Sequence, residues 1–171
     1  MKNVIIAILC LIATSTFAQS EDDAIKSTIN AYTEGFTKGD SASINRAFVY
    51  NAILRNLNAS SGKIIDTPLK KFIAGMPAGG AKATGSLLNY SYVGTSALAS
   101  VEFKFADFKY IDLLSLIKVN GEWKIVCRVF SRVGLDENLS SANVAGKASG
   151  GKAAPAPVKK AVAKPKADDG W

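Results

Sequence analysis

The apolar residues of this chain change their spacing once, near residue 80, and the change restricts the folds that are possible. Between residues 21 and 48 they recur every three or four positions, as in Ile25, Ile29, Tyr32 and Phe36, which predicts helices with one apolar face. Beyond residue 86 they follow a period of two, which predicts strands. We therefore expect an α+β domain whose early helices cover one face of a curved antiparallel sheet.

The predicted elements can be given in chain order. Helices are expected over about 21–38, 41–48 and 68–74, and short strands over 52–56 and 63–65. Four longer strands are expected over 87–93, 97–105, 109–119 and 122–131, with turns at 94–95, 106–107 and 120–121. The helices precede an antiparallel meander, which is the order expected for the α+β class.

The Asn120-Gly121 pair predicts a type I′ hairpin turn and therefore a strand register. In that register Leu114 pairs with Cys127 and Asp112 pairs with Val129. One face would carry Tyr110, Asp112, Leu114, Leu116, Trp123, Ile125, Cys127 and Val129. The other face is too apolar for a surface in water, so we predict a homodimer interface there, formed by Ile111, Leu113, Val126, Arg128 and Phe130.

Both ends of the chain are expected to lie outside the folded domain, which we place at residues 19–140. Residues 1–18 have the charge, apolar run and small residues of a signal peptide, with cleavage near Ala18. This predicts an exported protein, periplasmic or extracellular, without a transmembrane anchor, because the apolar run is too short for one. Residues 141–171 are rich in Ala, Lys and Pro, and we predict that they form a disordered tail.

The residue counts exclude several kinds of site. The chain has no histidine, which excludes histidine-based catalytic triads and imidazole metal ligands. With Cys10 in the predicted leader, Cys127 would be the only cysteine of the mature protein, so no cofactor or metal site is predicted. The net charge of +7 lies mainly in the leader and tail, since residues 19–140 hold 14 basic and 12 acidic side chains. We therefore expect no nucleic-acid partner for the domain, while the tail could bind an anionic polymer or simply be solvated.

Several segments carry a family resemblance. They are a helix with Tyr32 that ends near Gly39-Asp40, a second helix end at Ala47-Phe48, and the runs 110–116, 118–125 and 128–130. Over about residues 21–133 the chain resembles the putative lumazine-binding branch of the nuclear transport factor 2-like (SnoaL-like) superfamily. The resemblance implies a cone-shaped sheet with a cavity, which commonly dimerises through its outer face. Relatives often carry Phe-His-Pro where this chain has Phe48-Val49-Tyr50, and the missing polar group argues against catalysis.

Asp112 is the candidate catalytic residue, because a carboxylate on an apolar face is desolvated and can serve as a general acid or base. The alternative is a structural carboxylate bonded to backbone groups or to a tyrosine hydroxyl, such as that of Tyr32 or Tyr110. Cys127 could be a reactive thiol or an intermolecular disulfide partner, but its position favours a core residue.

Three functions remain open from the sequence. The first, which we favour, is an exported domain that binds a small apolar or aromatic ligand without turnover. The second is an isomerase, dehydratase or cyclase that uses Asp112, and the third is a dimeric scaffold whose basic tail is functional. The ligand cavity is expected to be lined by Tyr32, Phe36, Phe48, Tyr50, Tyr110, Asp112, Leu114, Trp123 and Cys127.

Overall fold

The computed structural model describes residues 20–140. The predicted signal peptide and the predicted tail lie outside these residues, and both remain predictions. Within residues 20–140, no helix has the length and apolar character needed to cross a membrane.

Two helices begin the domain, and each is capped by its own sequence. Helix α1, Glu21–Lys38, starts at Ser20, whose Oγ accepts a hydrogen bond from the Asp23 amide. It ends at Gly39, whose φ of 72° is readily adopted by glycine. Helix α2, Ser41–Ala47, starts at Asp40, whose carboxylate accepts two backbone amides. The chain thus turns between the two helices within two residues.

A six-stranded sheet follows, with one further short helix. The elements are β1 (Phe48–Asn58), β2 (Lys63–Pro68), α3 (Leu69–Ala74), β3 (Thr84–Val93), β4 (Ser96–Lys104), β5 (Lys109–Val119) and β6 (Glu122–Val133). Their order in the sheet is β2-β1-β6-β5-β4-β3. The sheet is curved and unclosed, and it confirms the predicted α+β class. The sheet is not entirely antiparallel, because β1 runs parallel to β6. No hairpin joins these two strands, so nothing forces them to run in opposite directions.

Helix α1 packs along one face of the sheet, which we call the inner face; the opposite face is the outer face. The apolar side chains of α1, which recur every three or four residues, pack against the strand residues that point to this face. These are every second residue of each strand, because side chains alternate between the two faces. The buried core includes Ile25, Ile29, Tyr32, Phe36, Ile44, Phe48, Leu54, Val101, Phe103, Leu114, Leu116, Trp123 and Ile125. At one end of α1, the Trp123 indole donates to the Glu21 carboxylate at 2.8 Å.

The predicted register of the last hairpin is correct only for its first half. Asn120 and Gly121 have φ values of 52° and 86°, as a type I′ turn requires, and Leu116 pairs with Ile125 as expected. A bulge then shifts the register, so that Ser115 pairs with Cys127 and Asp112 pairs with Phe130. The predicted pairs Leu114–Cys127 and Asp112–Val129 are therefore wrong. The extra residue in β6 reverses the faces beyond it, because side chains alternate along a strand.

Candidate functional site

The inner face holds a buried ion pair between Asp112 of β5 and Arg128 of β6. Arg128 donates from Nε to Asp112 Oδ2 at 2.8 Å and from Nη2 to Oδ1 at 2.9 Å. The Tyr32 hydroxyl of α1 donates to the same Oδ2 at 2.5 Å. Asp112 is 0 % exposed and Arg128 is 3 % exposed. Inside the core, the carboxylate thus has a charged donor at each oxygen and a neutral donor at Oδ2.

Burial also determines how these groups ionise. It raises the pKa of the Tyr32 phenol well above its usual value; Arg128 opposes this rise, and Asp112 adds to it. Burial acts to lower the pKa of the Arg128 guanidinium, but the charge and hydrogen bonds of Asp112, together with the nearby phenols of Tyr32 and Tyr110, outweigh it, so that this pKa is raised. Tyr32 therefore stays a hydrogen-bond donor, and Arg128 stays a cation.

Asp112 has no surface from which to act on a substrate. A general acid or base must come within hydrogen-bond reach of the proton that it transfers. The Asp112 oxygens instead accept three hydrogen bonds from Tyr32 and Arg128, and the residue is fully buried. This is the arrangement of the structural alternative given above, with Tyr32 as one partner.

Most of the expected cavity residues fill the space between α1 and the sheet. The Tyr32 ring meets the Phe48 and Phe103 rings edge to face, with centroids 5.1 Å and 5.3 Å apart. The expected cavity residues that are buried are Tyr32, Phe36, Phe48, Asp112, Leu114 and Trp123. The middle of the inner face is therefore occupied by the protein's own side chains.

Two expected cavity residues lie elsewhere, and both predictions are wrong. Tyr50 is 91 % exposed. It lies where the pairing of β1 with β6 is irregular, between the pairs Phe48–Ile125 and Ile53–Cys127. Cys127 pairs with Ser115 of the outer face, because it follows the bulge in β6. Its thiol is free and half-buried.

Near the start of β5 the inner face is only half-buried, and aromatic side chains stand there. They are Phe72 of α3, Tyr110 of β5 and Phe130 of β6. The Tyr110 and Phe130 rings meet edge to face at 5.6 Å. The guanidinium carbon of Arg128 lies 3.9 Å from the Phe130 centroid and 5.6 Å from that of Phe72. We call Phe72, Tyr110, Phe130 and Arg128 together the opening. Partly exposed rings beside a guanidinium can hold a flat molecule by stacking.

Tyr110 lies on the inner face, as its strand position predicts, whereas Phe72 and the inward position of Arg128 were not predicted. Phe72 lies on a helix of six residues, which is too short to show a periodic pattern. A signal for Arg128 did exist. A buried carboxylate needs a partner, and Arg128 is the cation of the neighbouring strand nearest to Asp112.

The outer face is apolar, and the structure corrects its predicted composition. Ile111, Leu113 and Val126 lie on it, whereas Arg128 and Phe130 face inward because of the bulge. Its exposed apolar residues include Leu98, Leu113, Ile117, Val119 and Val129. Two shallow depressions of about 220 and 450 Å³ are found on this face.

Two ion pairs join charged residues of the outer face. Lys109 binds Glu102 at 2.9 Å, and Arg55 binds Asp66 at 2.6 Å. Within residues 20–140, no three cysteine, aspartate or glutamate side chains come together as a metal ion would require.

Comparison with known proteins gives the family and the fold. The family model described as putative lumazine-binding matches residues 20–131. No curated protein matches the chain.

Solved structures of proteins described as nuclear transport factor 2-like and of unknown function are similar to this one. One from Shewanella baltica OS155 is 25 % identical, with a TM-score of 0.59, over 70 % of this chain and 98 % of its own. One from Methylobacillus flagellatus KT is 28 % identical, with a TM-score of 0.57, over 66 % and 94 % of the two chains. One from Silicibacter pomeroyi DSS-3 is 22 % identical, with a TM-score of 0.56, over 64 % and 92 %, and supports the fold.

Proposed function

This chain belongs to the putative lumazine-binding family, and on that premise we propose that it is a small-ligand-binding domain that takes a flat aromatic molecule at the opening. The observation that carries the proposal is the half-buried set of rings around Arg128. Phe130 stacks against the guanidinium, and Phe72 lies on α3 within 5.6 Å of it. The middle of the inner face is filled by core side chains, so we place the ligand at this end.

The opening has the two properties that binding of a flat molecule needs. Its rings are partly exposed, so a ligand gains apolar contact without displacing the core. Its floor is fixed, because Arg128 is held by two hydrogen bonds to Asp112. A fixed floor reduces the side-chain entropy that is lost on binding.

Titration with lumazine, followed by ligand fluorescence, tests the proposal. We expect saturable binding by the parent protein and affinity about tenfold lower in Phe72→Ala, since one stacking contact contributes roughly 1–3 kcal/mol. Tyr50→Ala removes an exposed ring outside the opening and is the matched control. Absence of binding to the parent, or equal losses in both variants, would contradict the proposal.

The enzymatic alternative has no supporting observation in residues 20–140. Asp112, its candidate acid or base, is buried and bonded to Arg128 and Tyr32. We therefore propose binding without turnover.

A second role, self-association through the outer face, is favoured by the distribution of charge there. Its exposed residues in the middle of β4, β5 and β6, namely Leu98, Leu113, Ile117 and Val129, are apolar, and the ionic groups of Lys109 and Arg55 are already paired within the chain. Contact regions of proteins are depleted of unpaired charge in the same way. The proposed partner is a second copy of this chain.

Sedimentation velocity tests this second role. The parent should sediment as a dimer, and Leu113→Glu should sediment as a monomer, since it places a charge in the middle of the apolar face. Tyr50→Glu, at an exposed site outside that face, should remain dimeric. A monomeric parent would refute the proposed dimer.

Export and the extended tail belong to the same proposal and rest on the sequence alone. The mass of the protein recovered from its host should correspond to a chain that begins near Gln19. Limited proteolysis should remove the part beyond about residue 140 and leave the domain intact. A recovered chain that still begins at Met1 would exclude cleavage.

A further inference from the structure

Arg132 of β6 differs from the other arginines of residues 20–140, because its guanidinium donates to no group of the domain. Arg46 donates to the Ser43 hydroxyl, and Arg55 and Arg128 donate to carboxylates. Arg132 forms neither a hydrogen bond nor an ion pair within the same stretch, and it is exposed. Its five N–H donors are therefore available to a ligand that carries oxygen acceptors.

The position of the Arg132 guanidinium is set by aromatic rings of the loop between β4 and β5. Its central carbon lies 3.9 Å from the Phe108 centroid. The Phe105 and Phe108 rings are stacked on each other, with centroids 4.5 Å apart and planes 13° apart. A guanidinium that lies over a ring keeps its N–H groups around its edge, so it can still bind a carboxylate with two hydrogen bonds. The rings thus hold a cation in place without neutralising it.

Arg132 lies beside the opening. It follows Phe130 by two residues on β6, so both side chains point to the inner face, about 7 Å apart along the strand. Across the sheet Arg132 pairs with Tyr110 of β5. The Tyr110 ring also meets the Phe108 ring edge to face, with centroids 5.3 Å apart. The guanidinium is therefore about one ring width from the rings of the opening.

These groups are accessible to a ligand as they stand. Arg132 is exposed, and the rings of Phe108, Tyr110 and Phe130 are each half-buried. Planar molecules stack on such rings at an open surface, as nucleic-acid bases do on aromatic side chains, so an enclosed cavity is not needed.

No carboxylate of the domain competes for Arg132. Asp112 is bonded within the buried ion pair, and Glu102 is paired with Lys109. Asp107, in the same loop as the stacked rings, is exposed and forms no ion pair within residues 20–140. An anionic group that arrives with a ligand therefore meets a cation without an internal partner.

Building on the proposed function, we propose that the ligand of the opening is a planar aromatic acid and that Arg132 binds its carboxylate. The plane of the ligand packs against the Phe130 and Tyr110 rings. The carboxylate at its edge accepts two hydrogen bonds from the guanidinium. A neutral molecule of the same shape loses these charge-assisted bonds and binds more weakly.

The experiment compares two probes, 2-naphthoate and 2-naphthamide, on the full protein. They share one ring system and nearly one shape, but only naphthoate is charged at neutral pH. Titrations followed by naphthalene fluorescence give both affinities. The parent should bind naphthoate at least about fivefold more tightly at low salt, because a hydrogen bond to a charged group is the stronger one. This preference should shrink in 1 M salt, which screens exposed charges.

Two variants locate the preference. In Arg132→Gln the two probes should bind with affinities within about twofold of each other, because glutamine carries no charge. The variant should fold like the parent, since Arg132 is exposed and donates no hydrogen bond within the domain. Lys26→Gln is the matched control, because Lys26 is an exposed cation that lies over the Tyr90 ring, away from the opening. It should prefer naphthoate as the parent does.

Failure of this inference can be told apart from failure of the proposed function. If the parent binds neither probe and no lumazine, both are overturned. If it binds lumazine but neither probe, only the inference is overturned. The same holds if both probes bind equally and Phe72→Ala weakens both. A preference that survives in Arg132→Gln, or that is also lost in Lys26→Gln, overturns the role of Arg132.

Discussion

The domain contains two arginine–aspartate pairs with nearly the same geometry in opposite surroundings. Arg55 binds Asp66 through Nε at 2.6 Å and Nη2 at 2.7 Å, on the exposed β1–β2 hairpin. Arg128 binds Asp112 through the same two nitrogens at 2.8 Å and 2.9 Å, under α1. The exposed pair has the shorter distances. Distance alone would therefore rank the two pairs in the wrong order of importance.

The difference lies in what replaces a lost partner. Water solvates Arg55 or Asp66 as soon as the other is removed, so an exposed pair contributes little to stability. Asp112 and Arg128 are almost completely shielded from solvent, and removal of one leaves the other charged and unpaired in the core. A buried pair can therefore be indispensable once present, even where an apolar pair would be as stable.

The largest expected effect comes from breaking the buried pair on one side. Arg128→Met should lower the free energy of unfolding by about 3–5 kcal/mol, because Asp112 loses its counter-ion. Arg55→Met makes the same change at the exposed pair and should be close to neutral. Urea unfolding of both variants measures the contrast. Similar losses in the two variants would contradict the role given to burial.

A smaller effect is expected from the third member of the buried cluster. Tyr32→Phe keeps the ring and removes the hydroxyl that donates to Asp112, so the free energy of unfolding should fall by about 1–3 kcal/mol near neutral pH. The pKa of Tyr32 is raised by folding, so its contribution is complete below about pH 10 and decreases as the pH rises above that value. The stability difference between parent and variant should therefore shrink in alkaline solution. A difference that grows above pH 10 would contradict this assignment.

Replacing both members of the buried pair should cost less than replacing one. Asp112→Leu combined with Arg128→Met leaves no unpaired charge, and such exchanges are often neutral or stabilising. The double variant should thus recover most of the stability lost in Arg128→Met. A double-mutant cycle measures the coupling directly. Additive losses would show that the two charges do not depend on each other.

The smallest effect concerns pH and the exposed pair. Arg55 lowers the pKa of Asp66 through a direct hydrogen bond, so any stability it adds is present at neutral pH and is lost as the pH falls below about 4. Parent and Arg55→Met should therefore converge in acid, and also in 1 M salt, which screens exposed charges. A difference that persists in acid and in 1 M salt would indicate a packing role for Arg55 instead.

The sequence was sufficient for the fold because its local signals agree with one another. The apolar spacing of α1 and the turn at Asn120-Gly121 both predict what is observed. Strand ends were less accurate, as at β1, which begins at Phe48 and not at residue 52. The helix before it ends at Ala47 without a glycine or proline, so no local residue marks the boundary.

The site was harder to predict, because it depends on one extra residue in β6 that no local sequence signal indicates. The bulge is at Val126 of β6, opposite Ser115 and Leu116, in a run without glycine or proline. Alternation therefore placed Arg128 and Phe130 on the outer face and Cys127 on the inner face. One argument separates the predicted register from the observed one. A buried Asp112 carboxylate needs a cation, and only the observed register brings Arg128 to its side of the sheet.

The bulge in β6 also affects how this chain is aligned with its relatives. A gap-free alignment of β6 with a relative whose strand is regular would match Arg128 with a residue that points to the other side of the sheet. Conserved arginines would then appear to be absent, or to be displaced by one position. A one-residue gap near Val126 would match Arg128 with the residue that points to the same side of the sheet. Alignment methods penalise such a gap strongly, because it falls in the middle of a strand. Searches for relatives with the same buried pair should therefore compare spatial positions before sequence positions.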